Sequence, residues 1–455
     1  MSWWRLDKHN PLASDAGIHE PYVPELASAQ PSFPPESERG CTLSGQVCFV
    51  NSDTDIIVVG CGIAGPSAAE TAASLGSSVL MLEEHDQVGI PSHCSGHVSI
   101  NSMKRLGVPL PDKIIRNSIR GATFHSPSGK VLRVERRNAV TWVLDRRAFD
   151  EHLGSRAERA GAQIQFNSHA TSVRTCEKGL VQLRVSVDGT PREFNCKLVI
   201  DCEGAAPTLT PQRPLSERRK SMWVNAAQVH VDRVEDLDHD MVEVYLGSAY
   251  APGFFAWIIP WEDGSAKLGL AAREGNARLL LNRFMTKHPE VSRRLKDSPN
   301  RAASFHPIPL GGPIPRTFYP GMLIAGDSAQ QVKSTTGGGI VFSLICGKAA
   351  GEIAHNAAET GDASASFLSR YETRWKNEIG RDLDIMRRIR RMLYRLPDRQ
   401  LEKIFSVART FGAEAVLSRA DDIDMQGRTL ARLGLDPRLM ISLLYSSVLS
   451  LPFIA

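Results

Sequence analysis

Two glycine-rich turns carry most of the chemistry available to this sequence. The first, Gly60-Cys61-Gly62-Ile63-Ala64-Gly65, follows the apolar run Asp55 to Val59. Its spacing predicts a buried parallel strand over 55–59 and a tight turn at Gly60 and Gly62, where a backbone can approach a diphosphate. Gly65 then lets a helix over 66–75 pack on the strand. The N–H groups and positive dipole end of that helix attract phosphate. A second strand, 78–82, ends at Glu83, about 20 residues after the turn, where a carboxylate is placed to accept hydrogen bonds from a ribose. Glu84 is the neighbouring alternative.

The second turn says which dinucleotide is bound. A short apolar strand over 321–325 leads into Gly326-Asp327, and Gly337-Gly338-Gly339 then open an apolar helix through Ile340, Leu344 and Ile345. Asp327 is placed to hold a ribityl hydroxyl. The helix start suits the electron-rich N1 and O2 edge of a reduced flavin. A nicotinamide dehydrogenase needs no such late motif, so the pair of turns predicts FAD.

The elements that must position these turns form two interleaved domains. The expected fold class is α/β: a Rossmann-type FAD-binding domain (about 53–115, 140–205 and 310–355) interleaved with an antiparallel-sheet substrate domain (about 116–139 and 206–309). A C-terminal helical region follows, 356–455. The substrate sheet is read from alternation such as Val242-Glu243-Val244-Tyr245-Leu246. Phe255 and Trp257, two apart on one strand, face the same way and are candidates for a substrate-lining wall. Residues 1–52, rich in proline and polar residues, lack periodicity and read as a disordered N-terminal extension. In the tail, Trp375, Ile379, Leu383, Met386, Ile389 and Leu393 predict one buried helix face.

Several separated runs resemble the FAD-dependent geranylgeranyl reductases, including the archaeal digeranylgeranylglycerophospholipid reductases. They are the loop from Val88 to Ser99 around Pro91 and Cys94, Asp145-Arg146-Arg147-Ala148-Phe149-Asp150, Asp201-Cys202-Glu203-Gly204, the run Pro252 to Pro260, and Gly311-Gly312-Pro313-Ile314 leading to Gly326-Asp327-Ser328-Ala329. The resemblance covers about residues 53–440. It implies flavin contacts from Gly65, Glu83, Cys94, Ser95, His97, Arg146, Ala170, Asp327, Gly339 and Ile340, with Cys94 beside the flavin ring as a proton donor or a packing thiol and His97 as the next candidate donor. Arg146, before a helix over 147–160, is a plausible fork for a phosphate or the adenine side. Ala170 would act through its main chain, at the end of a strand over 163–167. The family often has arginine where His93 stands, glycine at His97, tyrosine at Phe255 and proline at Ser334, so His97 implies either a shifted turn or a new imidazole in the site.

The function this resemblance implies is reduction of isolated double bonds of geranylgeranyl chains in isoprenoid lipids or their precursors. The electrons would come from ferredoxin, reduced deazaflavin or nicotinamide. A flavin-dependent monooxygenase or halogenase is the alternative, because Phe255-Ala256-Trp257-Ile258-Ile259-Pro260 partly resembles a halogenase run. A flavoprotein electron carrier is the non-enzymatic one. The net charge of +4 over 455 residues argues against nucleic acid as a partner, and the eight cysteines lack paired metal or cluster spacing, so no metal is expected. Free thiols and the absence of a signal peptide or long apolar run predict a cytoplasmic protein. Arg381, Arg387, Arg388, Arg390, Arg391 and Arg395, with an apolar stretch over 440–455, suit peripheral contact with the inner face of the cell membrane.

Overall fold

The computed structural model describes residues 49–418, apart from 177–178, 210–221, 296–301 and 394, together with 422, 424, 425 and 427. The stretch before Phe49 and the apolar stretch over 440–455 lie outside the described residues. The first strand, Phe49–Val59, begins inside the expected extension.

That strand lies at the centre of an eight-stranded sheet. Its parallel neighbours are Thr190–Asp201 and Val79–Leu82, with Met322–Ile324 beyond the former and Gln163–Gln165 beyond the latter. Ile56, Ile57 and Val58 are fully buried. Parallel strands covered on both faces read as unbroken apolar runs, and each such side chain contributes about 1.5–3 kcal/mol. Ser168–Thr175 and Val181–Val187 form an antiparallel flap on Thr190–Asp201.

Two helices packed on this sheet bring the glycine turns together. The helix Ala64–Ser74 follows the first turn and Ile340–Thr360 follows the second. They touch through glycines: a Cβ on Gly347 would lie 2.4 Å from the Ala64 carbonyl oxygen, and one on Gly351 would lie 2.3 Å from that of Ala68. The Ser67 hydroxyl donates to the Leu344 carbonyl across the same contact, at 3.0 Å. Any larger residue at 347 or 351 would push the two turns apart.

A second sheet of seven strands runs Ser304–Pro309, Trp223–Val231, Ala266–Ala272, Phe255–Pro260, Met241–Leu246, Gly121–His125, Val131–Glu135. It is antiparallel except at one pairing, because Met241–Leu246 runs parallel to Gly121–His125. Two helices outside the expected pattern, Ala277–Lys287 and Pro289–Arg294, cover one end. Arg294 anchors them by forking onto Glu243 at 2.7 and 2.8 Å. Burial works against the Glu243 charge, but the His125 ring 3.6 Å away and the bonds from Arg294 more than offset it and hold its pKa at about 2.

The predicted stripe of the C-terminal helices is buried at Trp375, Ile379, Leu383 and Met386 but fails at Leu393, which is 43% exposed. Its place is taken by Arg390, which is buried against the Phe254 ring at 4.9 Å. The arginine cluster is therefore not one solvated face. Among the described residues, no helix is long and apolar enough to cross a membrane.

Candidate active site

The two turns open on one cavity of about 850 Å³. In the first, Gly60 has φ +95°, and a Cβ there would sit 2.4 Å from the Cys202 carbonyl oxygen. A Cβ on Gly65 would lie 1.9 Å from the Gly60 carbonyl oxygen. A Cβ on Gly62, by contrast, would meet nothing within 4 Å and would enter the cavity. Neither helix start carries a side-chain cap: Ile63 precedes one and Gly339 the other. Uncapped N–H groups beside open space are what a diphosphate and a flavin edge require, so the residues present fit the predicted group.

Glu83 and Glu84 both line the cavity, and Glu83 is the buried one of the two. It is 8% exposed, and one carboxylate oxygen accepts from the Cys61 amide at 2.9 Å while the other accepts from His85. Glu84 points out to His169, at 3.3 Å. Ala170 also lines the cavity, but on the strand Ser168–Thr175 rather than at the end of a strand over 163–167, which stops at Gln165.

The loop carrying Cys94, Ser95 and His97 lines the cavity. Gly96 fixes its exit, since it has φ +80° and its carbonyl accepts from Leu144 N at 2.9 Å. The Cys94 carbonyl accepts from Lys267 Nζ at 2.8 Å, which ties the loop to the middle of the second sheet. Burial lowers the Lys267 pKa.

Arg146 lines the same cavity. Its guanidinium donates to both Asp150 oxygens, at 2.9 and 3.0 Å, and also faces the Cys94 thiol. Burial opposes its charge, yet Asp150 and then Cys94 raise its pKa. Its Nε and one terminal nitrogen are engaged inside its own helix, Arg146–Arg159, beside the cysteine loop.

His97 opens the short strand His97–Ser99, with no left-handed backbone. The left-handed position of the loop is Gly96, one residue earlier, and His97 adds an imidazole to the cavity wall. Its Nε2 lies 2.6 Å from Thr141 Oγ1. Burial, and then the charge of Lys333, push its pKa down to about 4, so near pH 7 it is a neutral ring. His93 is also held at about 4, by burial and by His306, whose ring stacks on it with centroids 3.8 Å apart.

At the second turn, Asp327 Oδ1 lies 3.0 Å from where a Gly339 Cβ would project, and Ile340 starts the long helix. The opposite wall is apolar: Phe254 stacks on Phe255 at 4.2 Å, Phe255 meets Trp257 edge-on at 6.0 Å, and Ile259 and Ile308 continue the surface. The Trp257 N–H donates to Gln228 Oε1 at 3.3 Å, leaving the indole body to the cavity.

Residues 53–378 match the FAD binding domain family. Over 333 residues the chain is 34% identical to digeranylgeranylglycerophospholipid reductase 2 of Methanopyrus kandleri, which covers 72% of this chain and 83% of that one. The chain belongs to the FAD-dependent geranylgeranyl reductase family. The Methanocaldococcus jannaschii digeranylgeranylglycerophospholipid reductase is 31% identical over 382 residues, 83% of this chain and 94% of that one. Among solved structures, a geranylgeranyl bacteriochlorophyll reductase-like protein from Thermoplasma acidophilum superposes with a TM-score of 0.74 at 25% identity, covering 86% and 99% of the two chains. The flavin-dependent brominase Bmp2, at 16% identity and a TM-score of 0.60, shares the fold. The cofactor is FAD.

As a geranylgeranyl reductase, the chain has residues in or beside the cavity that its motifs did not announce. Lys267 was detectable as the one charge in the fully buried strand Ala266–Ala272. Lys333 stands in plain sight between Asp327 and Gly337, and it forms an ion pair with Asp424. Asp424 itself carried no signal, because nothing local ties it to a site far back in the chain.

Proposed function

We propose that this protein is an FAD-dependent reductase of the isolated double bonds of geranylgeranyl chains, taking an isoprenoid lipid or its precursor into the cavity between the two sheets. The observation that carries it is the continuity of one cavity: glycine turns and uncapped helix starts on one wall, Phe254, Phe255, Trp257, Ile259 and Ile308 on the other, and the Cys94 loop between. FAD, when bound and reduced, supplies a hydride to one alkene carbon. An isolated alkene is not polarised by a carbonyl, so the other carbon needs an acid placed within a dry channel.

In this reading the apolar wall aligns the prenyl chain and excludes water, while Cys94 donates the proton. Arg146 and Lys267 hold the thiol's loop from either side. His97, neutral at pH 7, is the weaker donor. The test is anaerobic incubation with dithionite and a geranylgeranyl lipid, followed by mass spectrometry. Gain of a hydrogen pair per double bond supports the reading, whereas an oxygen- or halogen-dependent product with no hydrogen gain overturns it. Cys94→Ala should keep FAD and still be reduced by dithionite, yet reoxidise with substrate roughly a hundredfold more slowly, the range for loss of a general acid. Turnover at the parent rate would leave the thiol a packing group.

Peripheral membrane contact belongs to the same reading, carried by the exposed Arg381, Arg388, Arg391 and Arg395. Pelleting with acidic vesicles should then fall as salt shortens the Debye length below about 8 Å. Pelleting that ignores salt would remove these arginines from the argument.

A further inference from the structure

Lys333 sits inside the second glycine turn. Its amide donates to the Gly338 carbonyl at 3.0 Å, its own carbonyl accepts from Gly337 at 2.8 Å, and its side chain runs under Gly338. A Cβ on Gly338 would lie 2.7 Å from the Lys333 ammonium nitrogen. The residue is 6% exposed and lines the cavity.

Two sources of positive potential thus converge at this point: the ammonium and the uncapped start of Ile340–Thr360. Among the described residues, the carboxylate paired with the ammonium is Asp424, from the C-terminal segment. Its other oxygen accepts from Ser99 N at 2.7 Å, two residues after His97. A buried lysine paired in this way is electrically neutral until a negative group arrives beside it. Reduction of a flavin places negative charge on its N1 and O2 edge, the kind of edge to which an uncapped helix start is suited.

We propose that Lys333 is a positioning residue for the charge of the reduced cofactor, and that Asp424 attenuates it, so that docking of the C-terminal segment sets how readily the FAD is reduced. The proposal rests on FAD binding alone and not on the prenyl substrate, so its failure and failure of the reductase reading are distinguishable. The two members of the pair have opposite signs, and that is the signature to look for. Lys333→Met removes a cation of matched shape and disfavours the reduced form. Asp424→Asn keeps an acceptor for Ser99 N, leaves the ammonium uncompensated and favours the reduced form.

The experiment is the midpoint potential of the bound FAD, measured by dye equilibration on the full-length holoprotein without substrate. Expected are a negative shift for Lys333→Met, a positive shift for Asp424→Asn, and a value near the parent for the double variant. Each single shift should correspond to about a tenfold change in the ratio of reduced to oxidised FAD affinity, or about 30 mV for a two-electron couple. Shifts of the same sign in both singles, or none in either, overturn the proposal, since a merely structural pair would loosen the site in both states alike. If Asp424→Asn does not fold, Lys333→Met decides by titration: selective loss of affinity for reduced FAD supports the proposal, and equal loss in both states refutes it.

Discussion

The two glycine turns open on the same cavity but are constrained differently. In the first, Gly60 and Gly65 are forced by backbone: the atoms a Cβ would strike are the carbonyl oxygens of Cys202 and of Gly60 itself. In the second, Gly338 and Gly339 are crowded by charged side chains, Lys333 and Asp327. Backbone neighbours cannot move without unmaking the sheet, whereas the end of a lysine can swing aside. The first turn is therefore scaffold, and the second is the adjustable part of the site.

The comparison is most easily broken at Gly65. Gly65→Val should cost more than about 3 kcal/mol by overpacking against an immobile carbonyl, so soluble folded protein should largely disappear. Normal yield and melting temperature would show that the first turn yields like the second. Gly62→Val separates scaffold from ligand space, because its Cβ has open room. The variant should fold with an unchanged apoprotein melting temperature yet bind FAD roughly a hundredfold more weakly, as expected from loss of one or two charge-assisted hydrogen bonds. A fully flavinylated Gly62→Val protein would displace the diphosphate from this turn.

At the second turn the matching change is milder. In Gly338→Ala the new Cβ meets the Lys333 Cε at 2.4 Å, and the lysine can adjust. The expected cost is about 1 kcal/mol, with FAD retained and a melting temperature lower by a few degrees. Loss of folding in this variant would make the two turns equally rigid.

The division between the turns also explains what could be read from the sequence. The strand, turn, helix and acid run from Asp55 to Glu83 is local, and the structure reproduces it to within a few residues at the helix and second strand. The resemblance likewise put Cys94, Ser95, His97, Asp327 and Gly339 on one cavity. Arg146 lines that cavity too, and its pairing with Asp150, one helical turn away, went unread although both residues stand in the one run from Asp145 to Asp150. Asp424 and the fit of Gly347 and Gly351 on the Ala64–Ser74 helix were not legible. They are contacts between segments hundreds of residues apart, and the residue types involved are ordinary in any chain.

The smallest expected effect concerns acid. His97 and His93 are held at about 4, against 6.5 for a free ring, by burial first and then by Lys333 and His306 respectively. Between those values the unfolded chain binds more protons than the folded one, so stability is lost as pH falls from 6.5 towards 4. His93→Asn and His97→Asn should each flatten the decline of melting temperature between pH 7 and pH 5. An unchanged slope would mean that both rings take up protons freely from the cavity.

The helix contact at Gly347 and Gly351 fixes when in the protein's life the cofactor can arrive. The strand Phe49–Val59 finds one parallel partner at Val79–Leu82 soon after synthesis, but its other edge waits for Thr190–Asp201, which in turn waits for Met322–Ile324. Only once Ile340–Thr360 has emerged can the Ala64–Ser74 helix receive its mate. Pairings this distant in sequence close slowly and leave strand edges open in the meantime. A nascent chain halted before Gly347 has its first phosphate-binding turn and no second wall to hold a flavin against it, so cofactor capture is among the last events of its folding.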